Sequence, residues 1–158
     1  MRSLYDDINV NIAGATPSVE TALTILLVED DENDVFWFRR CLSAIAARVN
    51  IRVVENAWLA RNYLEGLSPF SDRAYYPIPD LIVADFHLPG ASGLELIRWI
   101  KNDARFKGIP VFTSSGSMKD EECRALQEAG IRAHFVKTPN FELARENVRS
   151  MLEHIKNP

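Results

Sequence analysis

The sequence predicts a doubly wound α/β fold, a five-stranded parallel sheet carrying helices on both faces. Three observations predict it. Short apolar runs of strand length alternate five times with stretches whose apolar residues recur at helical spacing. The first run is continuously apolar, as a strand buried on both faces requires. With 158 residues and 47% hydrophobic composition the chain can bury one full core, and no repeat or low-complexity tract marks a second domain.

The elements follow in order. "LTILLV" (23–28) is the first strand. Val35, Phe38, Leu42 and Ile45 repeat at helical spacing, and the acidic "DDEND" before them suits a helix N-terminus, with Asp31, Asn33 and Asp34 placed to cap it. "IRVV" (51–54) reads as the second strand and "AWLARNYLEG" as a helix closed by Gly66. "LSPFSDRAYYPIPD", rich in proline and turn formers, is a loop whose Tyr75 and Tyr76 either pack over the sheet edge or offer a partner surface. "LIVA" (81–84) is the third strand. Ser92 and Glu95 form a capping-box pattern ahead of Leu94, Ile97, Trp99 and Ile100. "IPVFTS" supplies the fourth strand, "KDEECRALQEAG" a helix ending at Gly130, and "AHFV" (133–136) the fifth strand. Asn140 caps a last helix with the stripe Phe141, Ala144, Val148, Met151, Leu152 and Ile155.

The totals narrow the function. A net charge of −4 argues against a broad nucleic-acid surface, which wants clustered Lys and Arg. Cys41 and Cys123 lie far apart without metal spacing and read as free thiols of a reducing compartment. No apolar run is long enough to span a bilayer. Residues 1–22 lack the basic start and apolar core of a secretory signal and read as a polar, flexible arm. The expectation is a cytoplasmic protein without membrane insertion.

Ligands of open α/β sheets sit outside the carboxyl ends of the strands. Glu29, Asp30 and Asp31 follow the first strand and Asp85 follows the third. Ser114, Ser115 and Gly116 close the fourth, and Lys137 follows the fifth. Two carboxylates about 4 Å apart repel by about 4 kcal/mol at an effective dielectric near 20. A hard divalent cation removes that cost, and Mg2+ suits a site of few carboxylates and retained waters. The lysine and hydroxyl are then spare donors that suit a phosphoryl group.

The segments "ILLVEDDENDV", "DLIVADFHLPGASGLELI", "IPVFTSSG" and "AHFVK", in this order and spacing, resemble the receiver domain of bacterial two-component response regulators. The resemblance runs from about Thr24 to about Ile155 and assigns residues 23–158 to a receiver domain of the stand-alone, single-domain type. It implies the flavodoxin-like receiver fold with strand order 2-1-3-4-5. It also implies that Asp85 is the phosphoacceptor and that Glu29, Asp30 and Asp85, with the backbone carbonyl of His87, hold Mg2+. Ser115 and Lys137 match the hydroxyl and lysine that contact the phosphoryl group, Gly116 leaves its backbone N–H open to it, and Ser115 with His134 forms the switch.

By the same resemblance the phosphoryl donor is a histidine kinase or a histidine phosphotransfer protein. The product switches a downstream protein target, and a homodimer follows by family analogy alone. The chain is then a signalling protein in a phosphorelay, with only self-phosphorylation and autodephosphorylation chemistry of its own. Two departures stand out: Thr138 precedes Pro139 where the family has proline directly after the lysine, and His134 replaces the usual Tyr or Phe. The alternative is a receiver-like adaptor acting without phosphorylation. A dehalogenase-type phosphatase, wanting Asp-x-Asp after the first strand and a cap, fits poorly, as does a flavodoxin, whose phosphate loop would here be acidic.

Overall fold

The computed structural model describes residues 22–45, 48–131 and 133–156. The expected flexible arm, apart from residue 22, lies outside the described residues. Strands and helices alternate as β1 (Leu23–Val28), α1 (Glu32–Ala44), β2 (Val49–Val54), α2 (Ala57–Glu65), β3 (Leu81–Asp85), α3 (Gly93–Asn102), β4 (Val111–Ser115), α4 (Asp120–Glu128), β5 (Ala133–Val136) and α5 (Phe141–Lys156). The strands lie parallel in the order β2-β1-β3-β4-β5, so the expected sheet is the observed one.

Side chains alternate across each strand, and the alternation divides the core in two. Leu26, Val28, Ile82, Ala84 and Val111 pack with Ala60 and Leu64 of α2, Leu96, Ile97 and Ile100 of α3, and Leu126 of α4. Ile25, Leu27, Leu81, Val83 and Phe112 pack with Val35, Cys41 and Leu42 of α1 and with Val148, Met151 and Leu152 of α5. Burying such an aliphatic side chain stabilises the fold by roughly 1.5–3 kcal/mol. Strand ends differ from the sequence reading by a residue or two. β4 begins at Val111 because Pro110 has no N–H for the ladder, although its carbonyl accepts from Ile82 N at 3.1 Å.

Helix starts follow their capping residues. Asp31, Asn56 and Ser92 accept from the backbone N–H groups of Asn33, Leu59 and Glu95, and Glu95 completes the box by accepting from Ser92 N at 3.0 Å. Asn140 accepts from Leu143 N at 3.1 Å to open α5. At the end of α2, Gly66 turns into the left-handed region at φ 71°, and a Cβ there would also meet the Arg73 guanidinium at 2.7 Å.

The 67–80 connection folds over the end of α2 and the β2 edge. Arg73 donates to the Tyr63 and Leu64 carbonyls at the end of α2 and to the Tyr76 carbonyl of the loop, tying the loop to the helix end. Phe70, Tyr76 and the fully buried Tyr63 pack ring against ring, with centroids 5.2–5.8 Å apart. Arg52 of β2 covers the Tyr75 ring and donates to its carbonyl. Tyr76 thus packs over the edge as one of the two readings expected, whereas Tyr75 remains exposed beside Arg52. Cys41 and Cys123 are both free thiols.

Two predictions follow from this packing. A Cβ on Gly93 would stand 2.4 Å from the Asp85 carbonyl oxygen, so Gly93→Ala forces α3 off the end of β3. Chemical denaturation is expected to show a loss of about 1–3 kcal/mol. Tyr63 donates its hydroxyl to the Pro77 carbonyl at 2.9 Å, and burial pushes its phenol up to about 12. Because the folded value lies above the unfolded one, its contribution is full below about pH 10 and is lost as pH rises toward 12. Tyr63→Phe should cost about 1 kcal/mol at neutral pH, yet between about pH 8 and pH 11 it should lose about 1 kcal/mol less than the wild type. Denaturant midpoints at the two pH values check both signs.

Candidate functional site

Beyond the end of three strands, one more backbone N–H still donates to the neighbouring strand. Glu29 N reaches the Val54 carbonyl at 2.9 Å, Phe86 N the Ser114 carbonyl at 3.0 Å and Lys137 N the Ser115 carbonyl at 2.8 Å. These bonds fix where the strand-end side chains start. They explain why residues more than fifty apart in sequence share one small space. Behind them, Gly93 N donates to the Phe86 carbonyl at 3.0 Å and seats α3 against the turn after Asp85.

Glu29, Asp30 and Asp85 each bring a carboxylate oxygen within 4.8 Å of the others. Glu29 and Asp85 are buried, whereas Asp30 is exposed. Lys137 Nζ lies 2.8 Å from Glu29 Oε2, 2.8 Å from Asp85 Oδ2 and 2.6 Å from Asp34 Oδ2. Asp85 Oδ1 accepts from His87 N at 3.0 Å, which fixes the second oxygen. The aspartate is thus held from two sides, by a cation and by a backbone dipole.

The charges respond to this crowding. Burial pushes Glu29 up to about 7, against the hydrogen bond and charge of Lys137. Burial disfavours the charged form of Lys137, but its bonds to Asp34, Asp85 and Glu29 prevail and hold the ammonium above its ordinary range. The Asn33 N–H keeps Asp31 low, in keeping with its place as the α1 cap. Three converging oxygen donors, two of them buried, fit the hard-cation preference of Mg2+.

The other expected residues are placed less centrally. Ser115 is fully buried, and its hydroxyl donates to the Ser117 carbonyl at 2.8 Å. Gly116 leaves open space where a Cβ would stand. The His87 ring is exposed and lies 3.8 Å from Glu122, while its backbone N–H faces Asp85. His134 lies beside β4, and burial keeps its imidazole below the usual range against the pull of the Asp85 charge.

Asp34 corrects the sequence reading, which grouped it with the capping residues. Asp31 alone caps, and Asp34 turns from the first turn of α1 onto Lys137. An acid one turn into the helix that leaves a strand-end site was the available signal. Beside this ion pair a cleft of about 320 Å³ opens between α1 and α5, lined by Phe38, Cys41, Phe135, Val148 and Met151.

Residues 25–149 match the response regulator receiver domain family. The polar-differentiation response regulator DivK of Brucella anthropi is 33% identical over 130 residues, covering 82% of this chain and 95% of that protein. DivK of Brucella ovis is 32% identical over the same shares. Among solved structures, the response regulator RPA3017 in red light signaling of R. palustris superposes with a TM-score of 0.79 at 23% identity, over 85% of this chain and 94% of that one. The bacteriophytochrome response regulator RtBRR gives 0.71 at 26% identity, over 84% and 77%. No helix among the described residues is long and apolar enough to cross a membrane. With its five-stranded sheet in the order 2-1-3-4-5 and its acids gathered at the strand ends, the chain belongs to the response regulator receiver family of bacterial two-component signalling.

Proposed function

We propose that this response regulator accepts a phosphoryl group on Asp85 from a cytoplasmic histidine kinase or histidine phosphotransfer protein. The observation that carries the reading is the contact of Lys137 with Asp85 at 2.8 Å inside the cluster of Glu29, Asp30 and Asp85. Likeness to a bacteriophytochrome response regulator supports a light-sensing kinase of that type as one donor.

Glu29, Asp30, Asp85 and the His87 carbonyl would hold Mg2+, which when bound offsets negative charge on the phosphoryl oxygens. The remaining work belongs to the chain. Asp85 Oδ attacks phosphorus in line, the new O–P bond forming as the P–N bond of phosphohistidine breaks and the imidazole leaves. Lys137 transfers its contact from the carboxylates to the incoming oxygens. Ser115 and the Gly116 N–H donate to the same oxygens, and a later attack by water on phosphorus returns Asp85 and free phosphate. The acyl phosphate adds roughly −1.5 to −2 charges to the sheet edge. Movement of Ser115 and His134 in response biases the face that a downstream protein, or a second copy, would recognise.

Intact mass after incubation with acetyl phosphate tests the reading. The wild type should gain one phosphoryl group in the presence of Mg2+, and Asp85→Asn should gain none. If the wild type gains none from a small donor or from a phosphorylated histidine protein, the chain is an adaptor. A second expectation concerns competition, because Lys137 occupies two of the acids proposed to hold the cation. Lys137→Met should bind Mg2+ roughly tenfold more tightly, through loss of one nearby like charge, and should take up phosphoryl groups far more slowly. A fluorescence or calorimetric Mg2+ titration, alongside the mass assay, checks the two opposite signs.

A further inference from the structure

Thr113 and Ser115 stand on one face of β4, and both are fully buried. The β4–β5 register pairs Thr113 with His134, which brings the imidazole between the two hydroxyls. Its Nδ1 lies 3.0 Å from Thr113 Oγ1, and its Nε2 lies 3.4 Å from Ser115 Oγ, the longer and weaker contact.

The proton positions follow from the donors available. Ser115 has one hydroxyl proton and gives it to the Ser117 carbonyl at 2.8 Å. Toward His134 its oxygen therefore accepts, so Nε2 carries the ring proton. Burial favours the neutral ring, which leaves Nδ1 with a lone pair that accepts from the Thr113 hydroxyl. Each bond in the chain then runs the same way: Thr113 to His134, His134 to Ser115, Ser115 to the Ser117 carbonyl.

We propose that Thr113 and His134 form a directional hydrogen-bond relay that orients the Ser115 hydroxyl, making both positioning residues for the phosphoryl site. The functional half of this proposal rests on the reading of Asp85 as phosphoacceptor; the relay itself does not. To donate to a phosphoryl oxygen, Ser115 must release the Ser117 carbonyl. The Nε2–H bond to its oxygen persists through that turn and polarises the hydroxyl into a better donor. Thr113 supplies the remaining requirement. Without its hydroxyl on Nδ1, the ring proton can sit on either nitrogen, and Ser115 can lose its fixed donor.

Nitrogen-15 spectra of the imidazoles in the full-length chain at about pH 7.5 test the relay, with His134→Phe assigning one of the three histidines. His154 is a reference of opposite tautomer, because its Nδ1 lies 2.7 Å from the Ser150 carbonyl and must carry the proton. The wild type should show His134 neutral and protonated on Nε2. Thr113→Val, of equal volume without the hydroxyl, should mix the His134 tautomers, leave His154 unchanged and slow phosphoryl uptake from acetyl phosphate roughly three- to tenfold. His134→Gln sets an amide nitrogen where Nε2 stands and should retain uptake within about threefold of wild type, whereas His134→Phe should not. A wild-type ring that is charged or protonated on Nδ1, or a Thr113→Val spectrum with the tautomer unmoved, overturns the relay. Mixed tautomers with unaltered uptake overturn its functional half. A wild type that takes up no phosphoryl group at all overturns the function proposed for Asp85, and the spectra still decide the relay.

Discussion

One ammonium group among three carboxylates is the constraint on which the strand-end geometry depends. Glu29, Asp34 and Asp85 come from two strand ends and a helix, and each lies within 2.8 Å of Lys137 Nζ. Without the lysine their mutual repulsion would be a few kcal/mol, which a bound cation or a proton on the buried Glu29 would relieve. The sheet order makes the meeting possible. β1 and β3 are neighbours, and a lysine at the end of edge strand β5 has the reach to cross β4 and join them. The same ion pairs leave the lysine already beside Asp85, the position a developing phosphoryl charge would need.

Asp85 is therefore held on both sides, whereas the Ser115 hydroxyl has a bond it can exchange. Asp85 is held by Lys137 and the His87 N–H, and its main chain by the seat of α3. Ser115, by contrast, spends its hydroxyl on a carbonyl two residues away, a bond that can be exchanged without unfolding anything. Groups proposed to react are fixed in advance, and groups proposed to respond keep a second place to go. The two cores behind the sheet support this division, with α1 and α5 on one face and α2, α3 and α4 on the other.

Much of this was legible in the chain itself, for a physical reason. Strands buried on both faces must be continuously apolar, so "LTILLV" and "LIVA" announce themselves, and in a parallel sheet the residue after each strand falls on one edge. Glu29, Asp30, Asp85 and Lys137 could be grouped on that ground alone. Register and rotamer could not be read. The bond between Thr113 and His134 depends on how β4 slides against β5, which no local pattern states. Asp34 was misread because an acid in a first helical turn suits the helix dipole whether or not it also finds a lysine. The 67–80 loop hid its anchor in the same way, since only the fold reveals that Arg73 turns back onto the end of α2.

The two glycines near the strand ends, Gly93 and Gly116, differ in clearance. At Gly93 there is no room: the Asp85 carbonyl oxygen lies 2.4 Å from where a Cβ would be, so α3 packs directly on the chain around Asp85. At Gly116 nothing stands within 4 Å. Side-chain bulk is therefore refused on the α3 side of the site and has room beside β4, so Gly116 is the position where a substituent can be added without pressing on the chain around Asp85.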